Sequence, residues 1–152
     1  MAEYFANVTW RRGDDPFLGQ RYHRRHTWRF DGGAEVPASA SPHVVRAPWS
    51  APDAVDPEEA FVASLSSCHM LFFLSFAARA GFVVDAYEDD AVGVVGKTAA
   101  GKEAVVSVTL KPRVTWRDRA PSADELAALH HEAHEHCYIA NSVTTDVRVA
   151  PR

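Results

Sequence analysis

The stretch Asp56–Gly81, DPEEAFVASLSSCHMLFFLSFAARAG, decides the fold. Asp56 can cap a helix and Pro57 suits the first helical position. Glu59 stands three residues after the cap, completing a capping box. Gly81 is the expected stop. Between these ends Phe61, Leu65, Cys68 and Phe72 recur at helical spacing and predict one apolar face. Val62, Leu71, Phe73 and Phe76 extend the apolar character to the other faces. A helix apolar most of the way round is a buried one. The expectation is a long buried central helix, covered in part by a second copy of the chain.

Outward from this helix, the N-terminal side reads as two strands, residues 3–11 and 21–30, with a hairpin closed at Asp31-Gly32-Gly33. Residues 37–56 hold four prolines without a clear period and read as a long loop. On the C-terminal side, the valine-rich residues 82–96 and 103–116 predict a hairpin about a turn at Thr98–Lys102. Ser122 and Glu125 predict a second capping box and a second helix. Its apolar face is Leu126, Leu129, Ala133 and Cys137. Residues 143–149 alternate as a final strand. The order β-β-α-β-β-α-β is an α+β pattern rather than regular βαβ alternation.

The chain of 152 residues is 47% hydrophobic and 24% charged, enough for one domain spanning 1–152 with a core of its own. Sixteen Lys+Arg against twenty Asp+Glu leave a net charge of −4, which argues against nucleic acid or an anionic membrane as partner. The first residues have neither the basic nor the apolar region of a signal peptide, and the most apolar run, Met70–Ala80, is too short to span a bilayer. A cytoplasmic location is expected, where paired cysteines tend to be catalytic or redox-sensing.

Two cysteines, Cys68 and Cys137, could be inert core residues, one bridge, or a working redox pair. Neither gains from a helix N-terminus, and a thiol buried in apolar surroundings is held protonated and inert. A reactive Cys68 needs a cation, and arginine stays charged when desolvated. The segment RYHRRHTWR at residues 21–29 supplies four arginines. Glu58 and Glu59 supply carboxylates in the first turn, although their simplest role is to complement the helix terminus. In HHEAHEHC, residues 130–137, His130 and His134 are one turn apart and could share a metal with Cys137 or His131. The His-Glu-x-x-His zinc motif fails in both registers, and solvated histidines on a polar helix face are the simpler reading.

The segments DPEEAFVASLSSCHMLFFLSFAARAGF, 56–82, and LHHEAHEHCYIANSVTTDV, 129–147, resemble the OsmC/Ohr family of stress-induced and organic-hydroperoxide-resistance proteins. The shared pattern is Pro57-Glu58-Glu59-Ala60-Phe61 ahead of Ser67-Cys68, then Ala133, Cys137, Ile139, Ala140 and Asn141. The resemblance implies an OsmC-like fold, an intertwined homodimer, and two active sites at the interface. It makes Cys68 the peroxidatic thiol, Cys137 the resolving thiol, Glu58 the orienting carboxylate, and Arg24, with Arg25 second, the activating cation. It implies reduction of organic hydroperoxides through a sulfenic acid and an intramolecular disulfide. The disulfide is recycled by an external dithiol, often lipoyl-linked, with no bound cofactor or metal. His69 after Cys68 and the Trp-rich N-terminal half point to a less characterised OsmC-like branch. The alternative reading is a redox-sensing or small-molecule-binding protein on the same fold.

Overall fold

The computed structural model describes residues 1–152. Its backbone divides into two compact units, Met1–Ala60 and Phe61–Arg152.

In the first unit β1 (Ala6–Thr9), β2 (His26–Phe30) and β3 (Glu35–Ala38) form an antiparallel sheet in that order. The hairpin at Asp31–Gly33 is present. β3 corrects the expectation of a loop from residue 37, because Thr27 pairs with Pro37 and Trp28 with Val36. Proline fits there because the strand lies at the sheet edge, where a missing N–H costs no ladder bond. Residues 39–56 are irregular but tied down: the Ala51 amide donates to Ser39 Oγ at 3.0 Å, and Val55 bridges back to Ala38.

Helix α1 (Pro57–Arg79) begins as its sequence requires. The Glu59 amide donates to Asp56 Oδ1 at 2.8 Å, and the Asp56 amide donates to Glu59 Oε2 at 3.1 Å, closing the capping box. At the other end Phe82 N–H donates to Ala77 O and Gly81 N–H to Ala78 O, with Gly81 at φ +81°. This left-handed turn suits glycine and closes the carbonyls of the last turn.

The second unit holds the rest of α1 with β4 (Val84–Asp89), β5 (Val92–Lys97), β6 (Glu103–Leu110), β7 (Pro112–Trp116), α2 (Ala123–His136) and β8 (Asp146–Val149). The expected hairpin exists, but each of its long strands is two. β4 pairs β7, while β5 pairs β6, which also pairs β8 in parallel. The break has a local cause. Pro112 has no N–H to give, and the Lys111 amide donates to the Asp89 carboxylate at 2.6 Å instead of to a backbone carbonyl. α2 starts at Ser122 with the expected capping box to Glu125.

Two apolar clusters fill this unit. Leu65, Val108 and Leu110 form one, over the β5-β6-β8 sheet. Phe73, Phe76, Ala77, Phe82, Leu129 and Ala133 form the other, with Tyr87, Val114 and Trp116 against it. Each fully buried large side chain contributes about 1.5–3 kcal/mol. β5 passes close beneath α1: a Cβ built on Gly93 would stand 2.5 Å from Val62 Cγ2.

The buried ridge of α1 is Leu65, His69, Phe73, Phe76 and Ala77. Within one copy of the chain, Cys68 lies beside this ridge and not on it, which corrects the expectation that Phe61, Leu65, Cys68 and Phe72 form the core face. Leu71 is 62% exposed, and Cys68 stands half-buried at the edge of the ridge. By length and composition alone α1 could cross a membrane; within this unit it is the ridge on which both clusters are built.

Candidate functional site

Cys68 sits about three turns into α1. Cys137 ends α2, and its backbone N–H donates to His134 O. The two cysteines are not bonded to each other. Cys137 is 1% exposed, and its Sγ accepts the Ala140 amide at 3.4 Å. Burial pushes this thiol up to about 11; the Ala140 amide opposes the rise, and the Cys68 thiol beside it adds to it. The fold therefore brings together the two thiols, half-buried Cys68 and enclosed Cys137, which is held protonated at neutral pH.

The other expected site residues lie in the first unit. Glu58 is half-buried in the first turn of α1. Arg24 lies ahead of β2 rather than within it, because the strand starts at His26 and not at residue 21. Its guanidinium donates to the carbonyl and side-chain oxygens of Gln20 and to the carbonyl of Tyr22, and lies 3.7 Å from the centre of the Tyr22 ring. No carboxylate is within ion-pair distance of it. Arg25 takes a separate course and pairs with Asp53 at 2.6 Å. The two arginines have different partners.

The histidine cluster divides. His131 and His136 are exposed, and His134 is half-buried. His130 is 5% exposed, which corrects the expectation of solvated histidines. Its Nδ1 lies 3.0 Å from Nε2 of His69, itself 1% exposed, and the two rings stack at 9°. No three His, Cys, Asp or Glu side chains converge as a metal site. Burial pushes His69 down to about 4, with the charges of His130 and His134 adding to this, and burial pushes His130 down to about 4 against the pull of Asp89. Phe73 stacks on His130 at 4.3 Å.

Beside this pair Ser66 Oγ donates to Asp89 Oδ2 at 2.5 Å, and burial with the Asp89 charge raises Tyr87. His69 Nδ1, His130 Nε2 and the Tyr87 hydroxyl have no hydrogen-bond partner. The histidine pair was missed in the sequence. Its signal was available: His69 stands four residues from Leu65 and four from Phe73, within the ridge, and His130 stands four from Leu126.

Residues 50–152 match the family model described as OsmC-like protein. No curated protein matches. The chain is similar over 100% of both lengths to the solved structure of an OsmC-like protein of unknown function from Vibrio cholerae, with 51% identity and a TM-score of 0.97. It shares the fold of an organic hydroperoxide resistance protein from Elizabethkingia anophelis, at 18% identity and TM-score 0.71, covering 99% of this chain and 94% of that one. It also shares the fold of an organic hydroperoxide resistance protein from Bacillus subtilis, at 20% identity and TM-score 0.69, covering 97% and 98%. The paired cysteine contexts, the α+β architecture and a family match that takes in both helices agree, and the chain belongs to the OsmC-like family.

Proposed function

We propose that this protein is a thiol peroxidase that reduces organic hydroperoxides with Cys68 and Cys137. The observation that carries the reading is the asymmetry of the two adjacent thiols. Half-buried Cys68 is the one a substrate can approach, while Cys137 is enclosed and kept as a thiol until it is needed. The Cys68 thiolate attacks one oxygen of the hydroperoxide. An S–O bond forms, the O–O bond breaks, and the alkoxide leaves as an alcohol with one proton. Cys137 then attacks the sulfenic acid, a disulfide forms, and hydroxide leaves as water with the Cys137 proton. A dithiol, lipoyl-linked or free, returns two electrons and two protons.

The activating cation in this reading is Arg24, with Glu58 as its orienting carboxylate. The protein acts as a homodimer in a reducing, cytoplasmic compartment. Exposed apolar side chains suit a second copy: Tyr4, Phe5 and Val8 in the first unit, and Leu71, Val92, Val94 and Val95 in the second.

The test is consumption of cumene hydroperoxide with dihydrolipoamide as reductant. Wild type turns over; Cys68→Ser does not. Turnover by Cys68→Ser refutes the assignment. Oxidation of wild type in a single event, without repeated turnover, assigns the protein instead as a redox sensor on the same fold.

A further inference from the structure

Apart from the contact of the two thiols themselves, the hydrogen bond between His69 and His130 is the one that joins the helices carrying them. It lies one residue from Cys68 on α1, and seven from Cys137, two turns along the same face of α2. It also lies between the two apolar clusters, since His69 stands between Leu65 of one and Phe73 of the other. The remaining contact between α1 and α2 is side-chain packing, such as Phe76 edge-on to His136 at 5.2 Å. Packing of that kind lets helices slide by fractions of an ångström. A buried hydrogen bond is directional and does not.

The pair is a costly way to fill space. Two neutral imidazoles joined by one bond use one nitrogen each, either ring donating, and leave His69 Nδ1 and His130 Nε2 buried without partners. Each such atom gives up on burial the hydrogen bond it makes with water in the unfolded chain. Two leucines would fill the volume without that cost. What the imidazoles add is a fixed distance between α1 and α2 beside the thiols. The charged and titratable groups around the pair are Asp89 and Tyr87 from β4 and His134 from α2. None of them hydrogen-bonds to it.

We propose that His69 and His130 are positioning residues: their hydrogen bond sets α1 against α2 so that Cys137 meets an oxidised Cys68 before a second hydroperoxide does. The claim rests on the thiol-peroxidase reading. Without the tie, the Cys68 sulfenic acid persists, and a second hydroperoxide takes it to the sulfinic acid, releasing a second alcohol.

Two double variants test it. His69→Leu with His130→Leu removes the bond and keeps the core apolar. His69→Gln with His130→Asn places an amide group near each bonding nitrogen and restores the bond without imidazoles. Reduced proteins receive cumene hydroperoxide, and disulfide and sulfinic acid are separated by mass, at a temperature where circular dichroism shows each protein folded. Misplacement of reacting atoms by about 1 Å costs up to a hundredfold. The leucine pair is expected to lose Cys68 thiol at the wild-type rate, form the disulfide about tenfold more slowly, and accumulate sulfinic acid. The Gln/Asn pair is expected to regain the disulfide. Wild-type partition in the leucine pair overturns the proposal, and so does a folded Gln/Asn pair that fails to resolve.

If wild type itself does not react with hydroperoxide, the peroxidase reading fails separately. The tie is then read from the Cys68–Cys137 disulfide equilibrium against oxidised glutathione. An equilibrium constant about tenfold lower in the leucine pair sustains the positional role, and an unchanged constant overturns it.

Discussion

Acid should destabilise this protein through the same two imidazoles. His69 and His130 are buried and held down to about 4 from an ordinary 6.5. In the unfolded chain both take up a proton as the pH falls through 6.5. In the folded chain neither does so until about 4. The unfolded state therefore binds more protons across that window, and stability rises with pH through it. Above 6.5 both rings are neutral in both states and nothing is lost. At 1.36 kcal/mol per pH unit of separation, each ring that stays neutral costs about 3 kcal/mol of stability by pH 4. Two rings 3.0 Å apart cannot both be charged cheaply, so the second is no easier to protonate than the first. Counting one ring alone, the loss for the pair is at least about 3 kcal/mol, a large fraction of the 5–15 kcal/mol of a typical domain. The assay is urea unfolding of wild type and the double leucine variant between pH 4 and 7.5. Carboxylate titration is common to both proteins and cancels in the difference. Relative to its own value at pH 7.5, wild type should lose at least about 3 kcal/mol more than the variant. Equal losses within about 1 kcal/mol would refute the reasoning. So would NMR titration of either ring near 6.5 in the folded protein.

Three further outcomes follow from the second unit and from the start of α1. Asp89→Ala leaves the Ser66 hydroxyl and the Lys111 amide without their acceptor, and should cost about 2–4 kcal/mol in denaturant unfolding. Gly93→Ala drives a methyl into Val62 and should cost about 1–3 kcal/mol; Val62→Ala in the same chain should recover part of it, a coupling that a double-mutant cycle reads directly. Asp56→Ala removes one arm of the α1 capping box and should cost about 1 kcal/mol by thermal unfolding.

Local chemistry was legible wherever one residue type has one job. Asp56 with Glu59, and Ser122 with Glu125, announce capping boxes that the structure contains. Gly81 announces a left-handed stop that it also contains. Long-range pairing was not legible. Nothing in residues 143–149 says that β8 joins β6 in parallel, because alternation reports a buried face and not a neighbour. The break of the long hairpin was half visible in Pro112. Its other half, the carboxylate of Asp89 standing in for a backbone acceptor, depends on a contact 22 residues away in sequence.

The placement of Cys68 shows why the site was harder to read than the fold. Periodicity reports a face only where one face differs from the rest, and α1 is apolar on nearly all of them. With no contrast to choose by, the stripe through Cys68 and Phe72 was as plausible as the one through His69 and Phe73. The structure selects the second, one residue on, which is about 100° around the helix. That rotation bears on the chemistry. A thiol on the ridge itself would share the fate of Cys137, sealed and held protonated by burial. Moving the ridge to His69 leaves Cys68 at its edge, close to Cys137 and yet half open. Ridge position and reactivity are therefore one question. The residue that occupies the ridge in place of Cys68 is also the one that ties α1 to the helix bearing the second thiol.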